Sequence, residues 1–226
     1  MKNLVKSIFV SVGVALFAPP AAAQVLVPPP LPPIGSAPNQ NIPERDSLGR
    51  YATPNLGLSR DEVVWHLRAA LNVAALACRD AEEERTITAY NRMIAEDAAP
   101  LAAADAAVKA DYRARYGVDW ADRHDHDMTK LYNFFAQPPA QGGFCAAAQG
   151  VLAEIDRVPP AELADFAAEA LPRLEAPFTD FYRDYDRYRL ALAAWNAQAM
   201  PGRAGMGLAA AAPTQQTASI AGLAMP

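Results

Sequence analysis

Apolar residues recur at helical spacing between Ser59 and Asp80, and this stretch predicts the central helix of the fold. Ser59 and Glu62 are placed to form a capping box at its start, flanked by Leu58 and Val63 as a hydrophobic staple. Apolar residues then occupy nearly every face of its second half. A helix that is apolar almost all round is enclosed by other helices. We therefore expect the remaining segments to pack around it.

Two polar residues stand inside this predicted helix. Asn72 interrupts the apolar second half, and we expect it to bond to side chains of neighbouring helices because buried polar groups need partners. His66 lies in the more polar first turns. We expect it to be a surface or half-buried residue rather than a metal ligand, since no other ligand residue pairs with it at a suitable spacing.

Further segments downstream carry helical patterns of apolar residues. They are Thr86 to Tyr112, Met128 to Gln137, Phe144 to Asp156, Ala161 to Leu171, and Pro177 to Ala199. β-branched residues are sparse, and no segment alternates with a period of two. The sequence therefore predicts an all-α fold, an antiparallel multi-helix bundle of five to seven helices within residues 58–199.

Glycine and proline predict where these helices end. Pro100 falls inside the second pattern and predicts a kink or a break, because proline lacks an N–H and clashes with the preceding turn. Gly117 follows two arginines and predicts a C-terminal cap. Gly142 and Gly143 predict a turn, and Pro172 predicts the end or a bend of its helix.

The last predicted helix has an aromatic stripe. Its apolar positions repeat in steps of three and four: Phe178, Phe181, Tyr185, Tyr188, Leu192 and Trp195. Such a stripe could form the wall of a cofactor site or a groove for a partner. A seam with this period more often packs against another helix, and we expect core packing.

Residues 1–23 have the pattern of a secretory signal peptide. Lys2 and Lys6 precede an apolar stretch that is too short to span a bilayer, and three alanines follow it. We expect cleavage between Ala23 and Gln24, a periplasmic or secreted product, and no stable membrane insertion after cleavage. An uncleaved membrane anchor is the alternative.

Two further segments flank the predicted bundle. Residues 24–57 contain the run PPPLPP, whose prolines favour polyproline II. Such a run suits an aromatic-lined groove, but we favour a spacer that holds the domain off a surface. Tyr51 and Leu56 are the residues in it that could fold back onto the core. Residues 200–226 predict a disordered tail.

Cys78 and Cys145 are the two cysteines of the chain, so only one pairing is possible. An even number of cysteines in an exported protein favours a disulfide. This bond would tie the end of the central helix to the start of the Phe144 helix. No C-x-x-C occurs, which argues against a thioredoxin-like redox site.

One polar cluster, residues 118–127, raises the question of a metal site. If the cluster is helical, Asp122 and His126 share a face, and they are the weak metal candidates of the sequence. His124 and His126 would then diverge, and no third ligand is evident. We favour a loop in which an aspartate caps the next helix.

Net charge and the absence of known motifs argue against several classes of partner and reaction, but they do not identify a function. The net charge is −5, and −7 without Lys2 and Lys6, which argues against nucleic acid and anionic lipid as partners. Known hydrolase, zinc-protease and phosphate-loop motifs are absent, so we predict no catalytic residue and no cofactor.

We therefore expect an exported, non-catalytic helical protein of the bacterial envelope with a protein-interaction or structural role. Its partner would be another envelope protein, and its oligomeric state is left open. The alternative is a periplasmic helical bundle that binds a small ligand or a metal.

Overall fold

A computed structural model describes residues 27–199, which form six α-helices joined by short 3-10 turns. The helices are α1 (Arg60–Ala77), α2 (Glu83–Glu96), α3 (Ala98–Tyr116), α4 (Trp120–Phe135), α5 (Gln141–Ile155) and α6 (Leu163–Ala199). Within the described range the only strand-like feature is an isolated bridge between Arg45 and Tyr51. The predicted all-α class is confirmed. The predicted signal peptide and C-terminal tail lie outside the described residues.

The central position of α1 is also confirmed. It contacts each of the other five helices. The capping box of Ser59 and Glu62 forms as predicted. Ala70, Leu71 and Ala74 have no exposed surface, and the small alanine side chains let neighbouring helices approach closely.

The helical segment is interrupted near Pro100, as the sequence predicts. α2 ends at Glu96 and α3 begins at Ala98, so Pro100 lies in the first turn of a new helix, where its missing N–H costs nothing. Gly117, with φ of 56°, ends α3 in the left-handed conformation that favours glycine.

The predicted loop at residues 118–127 is wrong. A 3-10 turn at Gly117–Asp119 leads directly into α4, so residues 120–127 are helical. The reason lies in the packing, because His124 is buried and continues the buried stripe of Leu131 and Phe135 by about two more turns.

The predicted turn at Gly142 and Gly143 is also wrong, since both residues lie in the first turn of α5. At Gly143 a Cβ atom would come within 3.1 Å of the Pro177 Cβ atom of α6. Glycine is used here because it lets two helices pack closely, and not because the chain turns.

Pro172 does not end its helix. The two predicted segments, 161–171 and 177–199, are one helix, α6, which runs through Pro172 and Pro177. Each proline frees the carbonyl four residues earlier, at Ala168 and Arg173, and both of these residues are exposed to water. Fully buried side chains on both sides of the prolines, including Leu174 and Phe178, hold the helix on the core.

A disulfide joins Cys78 to Cys145, with a Cα–Cα distance of 5.7 Å. It links the C-terminal cap of α1 to the second turn of α5. The predicted pairing is confirmed.

Residues 27–58 lie along the bundle, so this part of the predicted spacer does not stand apart from it. Tyr51 is only 5% exposed, and its ring packs edge-on against Tyr182 with centroids 5.3 Å apart. Its hydroxyl donates to Asp186 of α6 at 2.8 Å. Leu56, in contrast, remains 38% exposed. We call residues 27–43 the arm and residues 51–58 the strap.

Candidate functional site

The strap forms one wall of a cleft of about 490 Å³ at the N-terminal end of α1. The strap contributes mostly small and apolar residues, among them Pro54, Leu56 and Leu58. Helices α1, α3 and α4 supply the polar side chains, which are Glu62, His66, Tyr112, Arg115, Asp127 and Lys130. Cleft residues separated by tens of positions in the sequence meet here because α3 and α4 both pack beside α1.

His66 is buried in the wall of the cleft, with 6% of its surface exposed, so the prediction of a surface or half-buried residue is wrong. Its Nδ1 atom donates to the Asn55 Oδ1 atom of the strap at 2.9 Å. The Nε2 atom is then an acceptor, and it has no hydrogen-bond partner within residues 27–199. Burial lowers the pKa of His66 to about 4, against a smaller opposing effect of Glu62, so the ring is neutral near pH 7.

Glu62 carries a negative charge that is already balanced. It accepts from the backbone N–H of Ser59 at 2.7 Å and from Arg115 at 2.9 Å. Partial burial alone would raise the pKa of Glu62, but these hydrogen bonds lower it below its usual value. The carboxylate therefore stays ionised and paired.

A second balanced group lies on the opposite side of the cleft. The Tyr112 hydroxyl donates to the Asp127 Oδ2 atom at 3.1 Å, and Lys130 lies 3.4 Å from the other oxygen of Asp127. Burial, reinforced by the Asp127 charge, strongly raises the pKa of Tyr112, so its hydroxyl remains a donor. With Glu62 and Asp127 balanced by Arg115 and Lys130, the cleft has no net charge.

The cleft lacks an activated nucleophile among its lining residues. Its one alcohol, Thr53, donates to Glu175 of α6, and no basic nitrogen contacts it. Asn55 adds an unpaired group close by, because its Nδ2 atom is buried and has no partner in the described part of the chain. The arrangement supplies hydrogen-bonding groups rather than the parts of a covalent mechanism.

The position of His66 on an apolar stripe predicts its burial, although polar residues surround it in the sequence. Val63, Ala70, Val73 and Ala77 form the second apolar stripe of α1, and His66 falls on that stripe at the required spacing of three and four. Asn55 had no such signal, since its position depends on how the strap folds back over the helix.

The weak metal candidates Asp122 and His126 are placed on one face of α4, as a helix requires, and both are exposed. No third ligand joins them. Across residues 27–199, no three His, Cys, Asp or Glu side chains lie close enough together to hold a metal ion. The pair stays a prediction.

Comparison of the chain with family models, with curated proteins and with solved structures gives no match. The residues and their geometry are therefore the basis for any functional proposal. None of the six described helices combines the length and the apolar character needed to cross a bilayer.

Proposed function

We propose that this chain is an exported, non-catalytic protein of the bacterial envelope that binds a small, uncharged polar molecule in the cleft beneath the strap. The observation that supports this best is His66, a buried neutral ring that lines a cleft of about 490 Å³ and hydrogen-bonds to the strap through Nδ1. Clefts of this size, with a few directed polar groups, are typical of small-molecule sites.

The paired charges define the class of ligand. A charged ligand would have to break the Glu62–Arg115 pair or the Asp127–Lys130 pair to gain a partner of its own. An uncharged ligand avoids that cost. A hydroxyl or amide N–H group on it would donate to the His66 Nε2 atom, and Leu58 and Met128 offer apolar contacts beside it.

A binding role fits the electrostatics better than a catalytic one. A histidine with a pKa of about 4 is a weak general base near neutral pH, where a catalytic base is tuned towards the working pH. Export is supported by the signal-peptide pattern of residues 1–23 and by the Cys78–Cys145 disulfide, which is typical of oxidising compartments.

Native mass spectrometry of the protein, purified from the envelope of the organism that makes it, tests this proposal. We expect a noncovalent small-molecule adduct on the parent chain, much less of it on His66→Gln, and the parent level on His126→Gln, a matched change at an exposed histidine of α4. Apo protein in all three samples, or equal adduct on all three, would contradict the proposal.

A further inference from the structure

The C-terminal turns of α6 extend past the bundle. The last buried residue of this helix is Tyr185, and none of residues 186–198 is buried. Its apolar stripe nevertheless continues beyond the core. Tyr188, Leu192 and Trp195 form what we call the distal stripe, and all three are half-buried. Tyr188 packs beside Tyr185 at the edge of the core, whereas Leu192 and Trp195 need cover from another part of the chain.

The first part of the arm, residues 27–35, supplies that cover and is held at both of its ends. At one end the Trp195 indole N–H donates to the backbone carbonyl of Val27 at 2.7 Å. At the other end Gly35 lies so close to Pro139 that a Cβ atom would be 3.1 Å from the Pro139 Cα atom. Gln137, two residues before Pro139, accepts from the Tyr182 hydroxyl at 2.8 Å.

The lengths of the two segments agree with these anchors. From Val27 to Pro33 a polyproline II chain spans about 19 Å at ~3.1 Å per residue, and a hydrogen-bonded turn from Pro33 to Ser36 follows it. From Tyr182 to Trp195 a helix spans about 20 Å at ~1.5 Å per residue. The arm thus runs antiparallel to α6 along the distal stripe.

The burial pattern shows how the arm contacts the protein. Pro30, Pro33 and Ser36 are half-buried, and the residues between them are exposed, including Leu31 at 86% and Ile34 at 97%. Pro30 and Pro33 are three residues apart, which is the repeat of polyproline II, whereas Ser36 follows a turn in which its N–H donates to the Pro33 carbonyl. One face of the arm therefore lies against the bundle, and the other two face solvent.

We infer that the distal stripe is a recognition surface for extended proline-rich segments, and that the arm occupies it in cis until a proline-rich segment of a partner polypeptide takes its place. The occupant defines the chemistry: an indole N–H that donates to a backbone carbonyl of a proline-rich segment is a feature by which polyproline II is recognised. A contact that leaves every participant at least partly exposed is shallow enough to exchange.

Release of the arm in the full chain tests this inference, with the peptide VLVPPPLPPIGS (residues 25–36) as the probe. The double variant Pro30→Glu/Pro33→Glu puts charge on the bound face of the arm. Its matched control, Pro29→Glu/Pro32→Glu, puts the same charge on exposed positions. The chain has three tryptophans, so the indole N–H signal of Trp195 is easily followed by NMR and assigned with Trp195→Phe.

We expect the Trp195 signal to shift in Pro30→Glu/Pro33→Glu and to return to its parent position as the peptide is added. Apparent affinity should be at least ~10-fold higher for this variant than for the parent or the control, because an arm bound in cis leaves under about a tenth of the stripe free. A peptide with glutamate at the positions of Pro30 and Pro33 should not bind. The inference is overturned if the peptide fails to bind the released variant, or if it binds the variant and the parent equally.

Discussion

The two parts of α6 use similar side chains for different purposes. From Leu163 to Tyr185 the helix lies in the core, where Phe178 and Leu174 have no exposed surface. From Asp186 onward the same kind of stripe leaves the core, and the arm reaches it at Trp195 through contacts that stay half exposed. Aromatic residues at helical spacing thus do not reveal their role by spacing alone. What decides the role is whether other helices or an extended segment lies opposite.

The largest contrast should appear when one aromatic residue from each part is truncated. We expect Phe178→Ala to lower the free energy of unfolding by about 3–5 kcal/mol, because it leaves a cavity against Phe134, Phe135 and Phe144. Trp195→Ala should cost clearly less, because the indole lies at the surface and its removal leaves no enclosed cavity. Urea unfolding of both variants measures the difference, and equal losses would remove the contrast.

Removal of the disulfide should weaken the core part of the molecule. The bond joins residues 67 positions apart, and its loss in Cys78→Ala/Cys145→Ala should cost about 4 kcal/mol through the entropy of the unfolded chain. Thiol labelling of the denatured parent without reductant should find no free thiol. Two labelled thiols per chain would show that the bond does not form.

Acid should destabilise the end of the bundle near the strap. The pKa of His66 is about 4 in the folded protein and 6.5 in an exposed reference state, so the unfolded chain binds more protons between these values. Stability is therefore lost as the pH falls from about 6.5 to 4, by roughly 3 kcal/mol in total for this one group.

Comparison with His66→Gln isolates this effect, because glutamine does not titrate. Urea unfolding at pH 7 and pH 4.5 should show a smaller loss for His66→Gln than for the parent and for the exposed control His126→Gln. If the parent and His66→Gln lose equal stability, His66 titrates normally and the cleft is open to water.

Two tyrosines of α6 test the same contrast with the smallest expected difference in stability. The Tyr182 hydroxyl donates to Gln137 at 2.8 Å, so Tyr182→Phe should cost about 1 kcal/mol by leaving a half-buried acceptor unpaired. Tyr188 is half-buried, and no hydrogen bond from its hydroxyl to the described residues is found, so Tyr188→Phe should be near neutral. Thermal unfolding of the two variants side by side checks this.

The sequence predicted correctly those features that depend on a few neighbouring residues or that have only one possible arrangement. The capping box of Ser59, the cap at Gly117 and the apolar surface of α1 are encoded within a few residues, and two cysteines permit one pairing. These features were enough to predict the helical class, the central helix and the disulfide.

The sequence misled where tertiary packing overrides local preference. Pro172 and Pro177 do not break α6, because core contacts on both sides hold the helix, and Gly143 serves close packing rather than a turn. The candidate cleft could not be foreseen because it forms only when the strap folds back and Asn55 meets His66. Tyr182, which is only 1% exposed, does not belong to the aromatic stripe that the sequence predicts.

Hydrogen exchange along α6 tests most directly the claim that its core part is structural and its distal part is a surface covered by the arm. We predict that amides from 167 to 185 exchange only through global unfolding, and that amides from 188 to 198 exchange much faster. The distal amides should lose further protection in Pro30→Glu/Pro33→Glu but not in Pro29→Glu/Pro32→Glu. Uniform protection along the whole helix, or equal behaviour of the two double variants, would contradict the account.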